Sequence, residues 1–282
     1  MNLNNPGAEM FVPDNSPADA AVAKTTHMCV SAHQDDIEIM AFHGILSAFG
    51  RADNWFTGVV VTNGAGSPRD DLYADYTDEQ MQVVRRAEQK KAAVVGEYGA
   101  QFLLDYTSSA VKDPGSNDLV EDLKAILTAA KPRVVYTHNL ADKHDTHVVC
   151  ALRLVRAIRE LPERDRPDAL YGCEVWRDLD WMTDEDKIPF DVAAHENLAA
   201  ALLGIFDSQI CGGKRYDLAT IGRRRAHATY YASHGTDETT SLSFAMDMTP
   251  LIHDPALDPA EFALAHIRRF QDEVSTRLAK LG

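Results

Sequence analysis

Four short apolar runs, each followed by a stretch with helical spacing, constrain this chain more than any other feature. Residues 27–32, 55–62, 101–105 and 133–137 are the length of buried strands, and WFTGVVVT over 55–62 is the most β-branched of them. Helical patterns follow over about 37–49, from Thr77 to about Tyr98, over 117–131 up to Pro132, and over about 146–161 up to Pro162. Thr77 or Asp78 caps the second of these helices. Strand-helix alternation of this kind calls for parallel strands joined by right-handed crossovers, with helices on both faces of the sheet. The expected architecture is therefore α/β, three-layered, with a mainly parallel central sheet.

Beyond residue 165 the pattern loosens. Residues 170–176 read as a strand, 192–206 and 216–231 as helical, 239–248 as strand or loop, and the last 25 or so as a helix. Residues 1–26 read as an extended or frayed arm, and 27–282 as one domain with a less regular C-terminal third. At 282 residues a single α/β domain of this kind buries a large core.

Charge and composition exclude several roles. A net charge of -15 opposes nucleic-acid binding, which needs clustered Lys and Arg. The one basic run, Arg223-Arg224-Arg225, reads as a solvated helix face. No stretch approaches the roughly 20 apolar residues of a membrane span, and the first residues lack the basic-then-apolar order of a secretory signal. Cytoplasmic residence and a small-molecule substrate are the expectations, and a homo-oligomer stays open. Cys29, Cys150, Cys173 and Cys211 stand far apart, without a C-x-x-C pair, and read as buried thiols.

Ligands of parallel sheets bind at the carboxyl ends of the strands, and two of those loops are rich in metal-binding groups. The first is Ser31-Ala-His-Gln-Asp-Asp-Ile-Glu38, where an imidazole and two adjacent carboxylates leave a buried strand. Adjacent carboxylates at a helix start point in different directions, so one can bind a metal while the other faces its water. The second, 137–147, holds His138, His144 and His147 with Asp142 and Asp145. His144 and His147, about one helical turn apart, can converge on a shared centre. With His33 and Asp36 they supply three ligands and a spare imidazole, the set a catalytic zinc site uses with a water. Asp105, ending the third strand, stands where it can meet substrate hydroxyls, and His138 is near enough to the second loop to support it.

These residues resemble the LmbE-like, or PIG-L, deacetylases. Ala32-His33-Gln34-Asp35-Asp36-Ile37-Glu38 is similar to that family's Ala-His-Pro-Asp-Asp-x-Glu, and His144-Asp145-Thr146-His147 to its His-Pro-Asp-His. Thr62-Asn63-Gly64, Arg85-Arg86-Ala87-Glu88 and Ser208-Gln209 match further family features in the expected order. The resemblance covers roughly 27–232. It implies a Rossmann-like zinc enzyme that removes acetyl from an N-acetylated amino sugar or related amine.

Carried onto this chain, the resemblance gives zinc, or another divalent metal, to His33, Asp36 and His147. Asp35 becomes the general base and His144 the acid or electrostatic helper. Glu38 becomes a supporting group, and Arg85 and Asn63 substrate contacts. Two positions depart from the pattern. Gln34 replaces Pro, which removes no ligand. Thr146 replaces the Asp that orients the helper imidazole, so His144 needs another partner, Asp142 or Asp145. Two rival functions share the same motifs: a zinc amidase cleaving a larger amide, and a non-catalytic Rossmann-like protein binding a sugar or nucleotide.

Overall fold

The computed structural model describes all 282 residues. Its eight strands are β1 (Glu9–Phe11), β2 (His27–Ser31), β3 (Phe56–Thr62), β4 (Ala100–Tyr106), β5 (Val134–His138), β6 (Ala169–Cys173), β7 (Lys187–Asp191) and β8 (Leu242–Asp247). They form one open sheet in the order β1-β4-β3-β2-β5-β6-β8-β7. The middle five, β4-β3-β2-β5-β6, are parallel. The outer pairings, β1 on β4, β8 on β6 and β7 on β8, are antiparallel.

Period-two alternation divides the core between the two faces of the sheet. Met28 and Val30 of β2, Val59 and Val61 of β3, and Phe102 and Leu104 of β4 pack against helices Asp118–Ala130 and Asp145–Arg159. Their neighbours Cys29, Val60 and Leu103 pack on the other face, with Ile37, Met40, Phe42 and Ile45 and with Ala92 and Ala93 of helix Asp78–Val95. Both faces are covered, which is why these strands are continuous apolar runs.

Several details differ from the sequence expectation. The helix read over 37–49 is two, Asp36–Met40 and Phe42–Ala48, meeting at Ala41. Thr77 caps its helix in a full capping box with Gln80. The first 26 residues are not a frayed arm: β1 extends the sheet, helix Ala18–Ala23 buries Ala21 and Val22, and Asn4 bonds Asp122. The strand β7 occupies part of a stretch to which the sequence pattern gave no element, and the helix expected from 192 begins at Glu196. No helix is long and apolar enough to cross a membrane.

The strand order fixes where a ligand goes. From β2 the chain steps outward to β3 and β4, then returns to the other side of β2 with β5. At that reversal the loops leaving β2 and β5 part to opposite faces and open a crevice at their carboxyl ends. These are the two loops that carry the histidine and aspartate clusters.

Candidate metal centre

The β2 loop folds tightly onto itself. The His33 backbone N–H donates to Asp36 Oδ2 at 2.7 Å, bringing that oxygen back under the imidazole. Asp35, between them, has φ of 86°, a conformation non-glycine residues rarely hold. It turns the two adjacent carboxylates to different sides.

Three donor atoms meet below. His33 Nδ1 is 3.1 Å from His147 Nε2 and 3.3 Å from Asp36 Oδ2, and His147 Nε2 is 3.5 Å from Asp36 Oδ2. Ligands about 2.0–2.2 Å from a tetrahedral zinc stand at about this separation from one another, so the donor set fits the metal. Two overlapping groups of side chains have the spacing to hold a metal ion, His33-His144-His147 and Asp36-His138-His147. His138 is removed by its bonding: its Nε2 accepts the Ala32 backbone N–H at 2.9 Å and so offers that lone pair elsewhere. Buried and stacked 3.9 Å from the His147 ring, it supports the site and is held neutral by burial.

Electrostatics favour a cation at this point. Burial opposes charge on Asp36, yet His147, His138 and His33 hold its carboxyl well below the usual range. Burial also works against a charged His147, but Asp36 and Asp142 outweigh it and raise this imidazole's pKa. Metal binding to such a set displaces a proton.

Above the donors is a cavity of about 500 Å³ lined by His33, Asp35, Asp36, Arg85, His144 and Thr146 among others. Asp35 is buried, and burial raises its pKa well above the ordinary value, with Arg85 opposing. Arg85 Nη2 stands 3.6 Å from Asp35 Oδ2 and donates to the Gln34 carbonyl at 2.7 Å. His144, half-buried, lies edge-on to His33 and stacked on His147, and burial lowers its pKa toward the neutral imidazole. Its Nδ1 has no partner.

The structure therefore gathers His33, Asp35, Asp36, Arg85, His144 and His147 but corrects the expected partners of His144. Asp145 is exposed at the first turn of its helix, where a carboxylate complements the helix dipole. Asp142 turns to His147, with Oδ2 3.5 Å from Nδ1. Glu38 lies behind the site, accepting from Tyr98 Oη at 2.7 Å and Gln89 Nε2 at 2.9 Å. Burial pushes its carboxyl up to about 7.

Two expected substrate contacts stand outside the cavity. The Asn63 carboxamide closes a local turn by accepting the Ala65 N–H at 3.2 Å. Asp105 is occupied by Arg86 at 2.7 Å.

Other residues complete the cavity, among them Glu88, Ser208 and Gln209, which the resemblance marked without giving them a role. Glu88, one turn beyond Arg85, accepts the Ser208 N–H at 2.8 Å and the Ser208 hydroxyl at 2.6 Å, and so holds Gln209 in the wall. Arg224 is buried rather than solvated. It donates to the Glu38 and Ile39 carbonyls at 3.0 and 2.9 Å, where the first-loop helix breaks. Trp176 and Tyr216 line the opposite wall, and the Trp176 N–H donates to Asp142 Oδ2 at 3.1 Å.

Fold and site together define a Rossmann-like α/β protein with a cluster of candidate metal-ligating side chains at its switch point. Residues 28–158 match the family model of PIG-L, described as GlcNAc-PI de-N-acetylase, and so the chain carries a PIG-L (LmbE-like) family domain spanning both loops. Among solved structures, it is similar to GalB, the 4-carboxy-2-hydroxymuconate hydratase from Pseudomonas putida KT2440, at 15% identity over 79% of this chain and 96% of that one (TM-score 0.62). It is also similar to N,N'-diacetylchitobiose deacetylase from Pyrococcus horikoshii, at 16% identity over 82% and 86% (TM-score 0.62). A third is the A40926 pseudoaglycone deacetylase Dbv21, at 17% identity over 79% and 97% (TM-score 0.57). At these identities the likeness is one of fold. Comparison with curated protein sequences finds no match.

Proposed function

We propose that this protein is a zinc-dependent N-deacetylase that removes acetyl from an N-acetylated amino sugar or related amine. The observation that carries this function is the convergence of His33 Nδ1, Asp36 Oδ2 and His147 Nε2, 3.1–3.5 Å apart, beneath a cavity shared with Asp35, Arg85 and His144. The family description over 28–158 supports acetyl as the group removed. The cavity, about 500 Å³, is within the range of small-molecule sites (~300–1,000 Å³).

Zinc held by these three residues would supply an acidified water and polarise the amide carbonyl. Asp35 accepts the proton of the attacking water and returns it to the amine nitrogen as the C–N bond breaks, leaving acetate and the free amine. Burial raises the pKa of this carboxyl, which strengthens it as a proton acceptor, and Arg85 beside it limits the rise. His144 presents a ring N–H to the oxyanion that forms as the carbonyl becomes tetrahedral, and its unpartnered Nδ1 leaves the ring free to choose that tautomer. Asp142 fixes the ring of His147, and Glu88 through Ser208 fixes the wall that orients the substrate.

Because the fold also carries a hydratase in GalB, acetate release decides the reaction. Purified zinc-loaded protein incubated with N-acetylated amino sugars should release acetate, lose that activity to a chelator and regain it with zinc. Acetate release that survives complete metal removal, or none from any acetylated amine, contradicts the assignment.

A further inference from the structure

The lysines at the cavity walls have no carboxylate within ion-pair distance. The chain has ten lysines and a net charge of -15. Lys24, Lys90, Lys124, Lys131 and Lys187 each pair with a carboxylate. Of the five others, Lys112 and Lys214 line the cavity, and Lys143 stands beside it with Nζ 5.8 Å from the Trp176 ring centroid. Lys214 Nζ is 5.2 Å from the same ring, so Trp176 gathers two ammonium groups at one wall.

The only carboxylates lining the cavity are Asp35 and Asp36. Each already has counter-groups, Arg85 for the first and the imidazoles for the second. The lysines are therefore not needed to balance the cavity floor. In so acidic a protein, unpaired ammonium groups on the walls of one cavity raise the local concentration of anions and suit a ligand that brings its own negative charge.

Resting on the deacetylase reading above, we infer that the acetylated amine bears an anionic group, phosphate or carboxylate, held by Lys112 and Lys214 with Lys143 adding long-range attraction. The acetamide then faces Asp35 and His144, and the charged group faces the lysine walls.

The test uses three acetylated probes: neutral N-acetylglucosamine, N-acetylglucosamine 6-phosphate and N-acetylmuramic acid, which carries a carboxylate. Binding to the zinc-loaded protein is measured by calorimetry, and acetate release is measured in the same samples. At least one anionic probe should bind about tenfold or more tightly than the neutral sugar at low salt, with the advantage shrinking as salt is raised. The comparison of phosphate with carboxylate identifies which anion the site takes. The advantage should vanish in a Lys112→Gln/Lys214→Gln protein and survive in the Lys112→Arg/Lys214→Arg protein, which keeps the charge. Equal binding of all three probes, no binding of any, or a preference undiminished in the glutamine variant overturns the inference. A lysine-dependent preference without acetate release would instead sink the deacetylase reading while leaving the anion site intact. Acetate release without preference does the reverse.

Discussion

Asp142 serves the ring of His147 and not that of His144: its Oδ2 is 3.5 Å from His147 Nδ1, while its Oδ1 accepts the His144 backbone N–H at 3.0 Å. The carboxylate that family likeness would set at position 146 is a threonine here, and the helper imidazole has no orienting acid. The carboxylate behind the metal-facing imidazole is kept, and such partners fix tautomer and direction. Asp142→Asn should weaken zinc affinity about 10- to 100-fold, read by competition with a chromogenic chelator. Unchanged affinity would mean that Asp142 acts only on the loop backbone.

Asp35 is best tested with asparagine, which keeps the shape and tolerates the positive φ of 86°. Asp35→Asn should lower turnover by about 10²- to 10⁴-fold while zinc content, measured by elemental analysis, stays at the wild-type level. A fully metallated variant with wild-type turnover would remove Asp35 as the base.

Gly64 has φ of 75°, and a Cβ there would stand 2.5 Å from Gln34 Oε1 and 3.0 Å from Arg85 Cδ. Gly64→Ala should destabilise the fold by about 1–2 kcal/mol through the backbone alone. It should also displace Arg85 from Asp35, lowering kcat/KM about tenfold. Melting curves and kinetics separate the two effects, and a destabilised variant with full activity would show that Arg85 can move freely.

At the first residue of β2, burial holds His27 down to about 4. The unfolded imidazole, near 6.5, binds protons that the folded one refuses, so stability from this group is full above pH 6.5 and falls as pH drops toward 4. Allowing for partial exposure, the loss is on the order of 1–2 kcal/mol. Denaturant titrations at pH 7 and pH 4.5 should show a smaller loss for His27→Gln than for the wild type, by that amount. Equal losses would mean that the folded His27 takes up a proton as readily as the unfolded imidazole.

Much of this was legible in the sequence because it depends on local pattern. Strands β2, β3, β4 and β5 are apolar on both faces, so the 33–36 and 138–147 loops read as leaving the ligand-binding ends of parallel strands. The pairing of β5 with β2 that joins them at one crevice is seen only in the fold. What escaped depends on distant partners. Arg224 reads as one of three surface arginines until its contact with the Glu38 and Ile39 carbonyls is seen. Asp105 lies at a strand end, as a ligand-binding carboxylate should, but Arg86 from the neighbouring helix occupies it. The short edge strands β1 and β7 have too few residues to show a period, and they exist because β4 and β8 offer them unpaired backbone groups.

The central claim is that His33, Asp36 and His147 hold one divalent metal at the crevice between β2 and β5. Crystals grown with zinc, with anomalous data collected above and below the zinc edge, test it most directly. A single zinc peak within about 2.3 Å of His33 Nδ1, Asp36 Oδ2 and His147 Nε2 is the predicted result. Zinc held by His138, or at no position bonded to these three side chains, would contradict it.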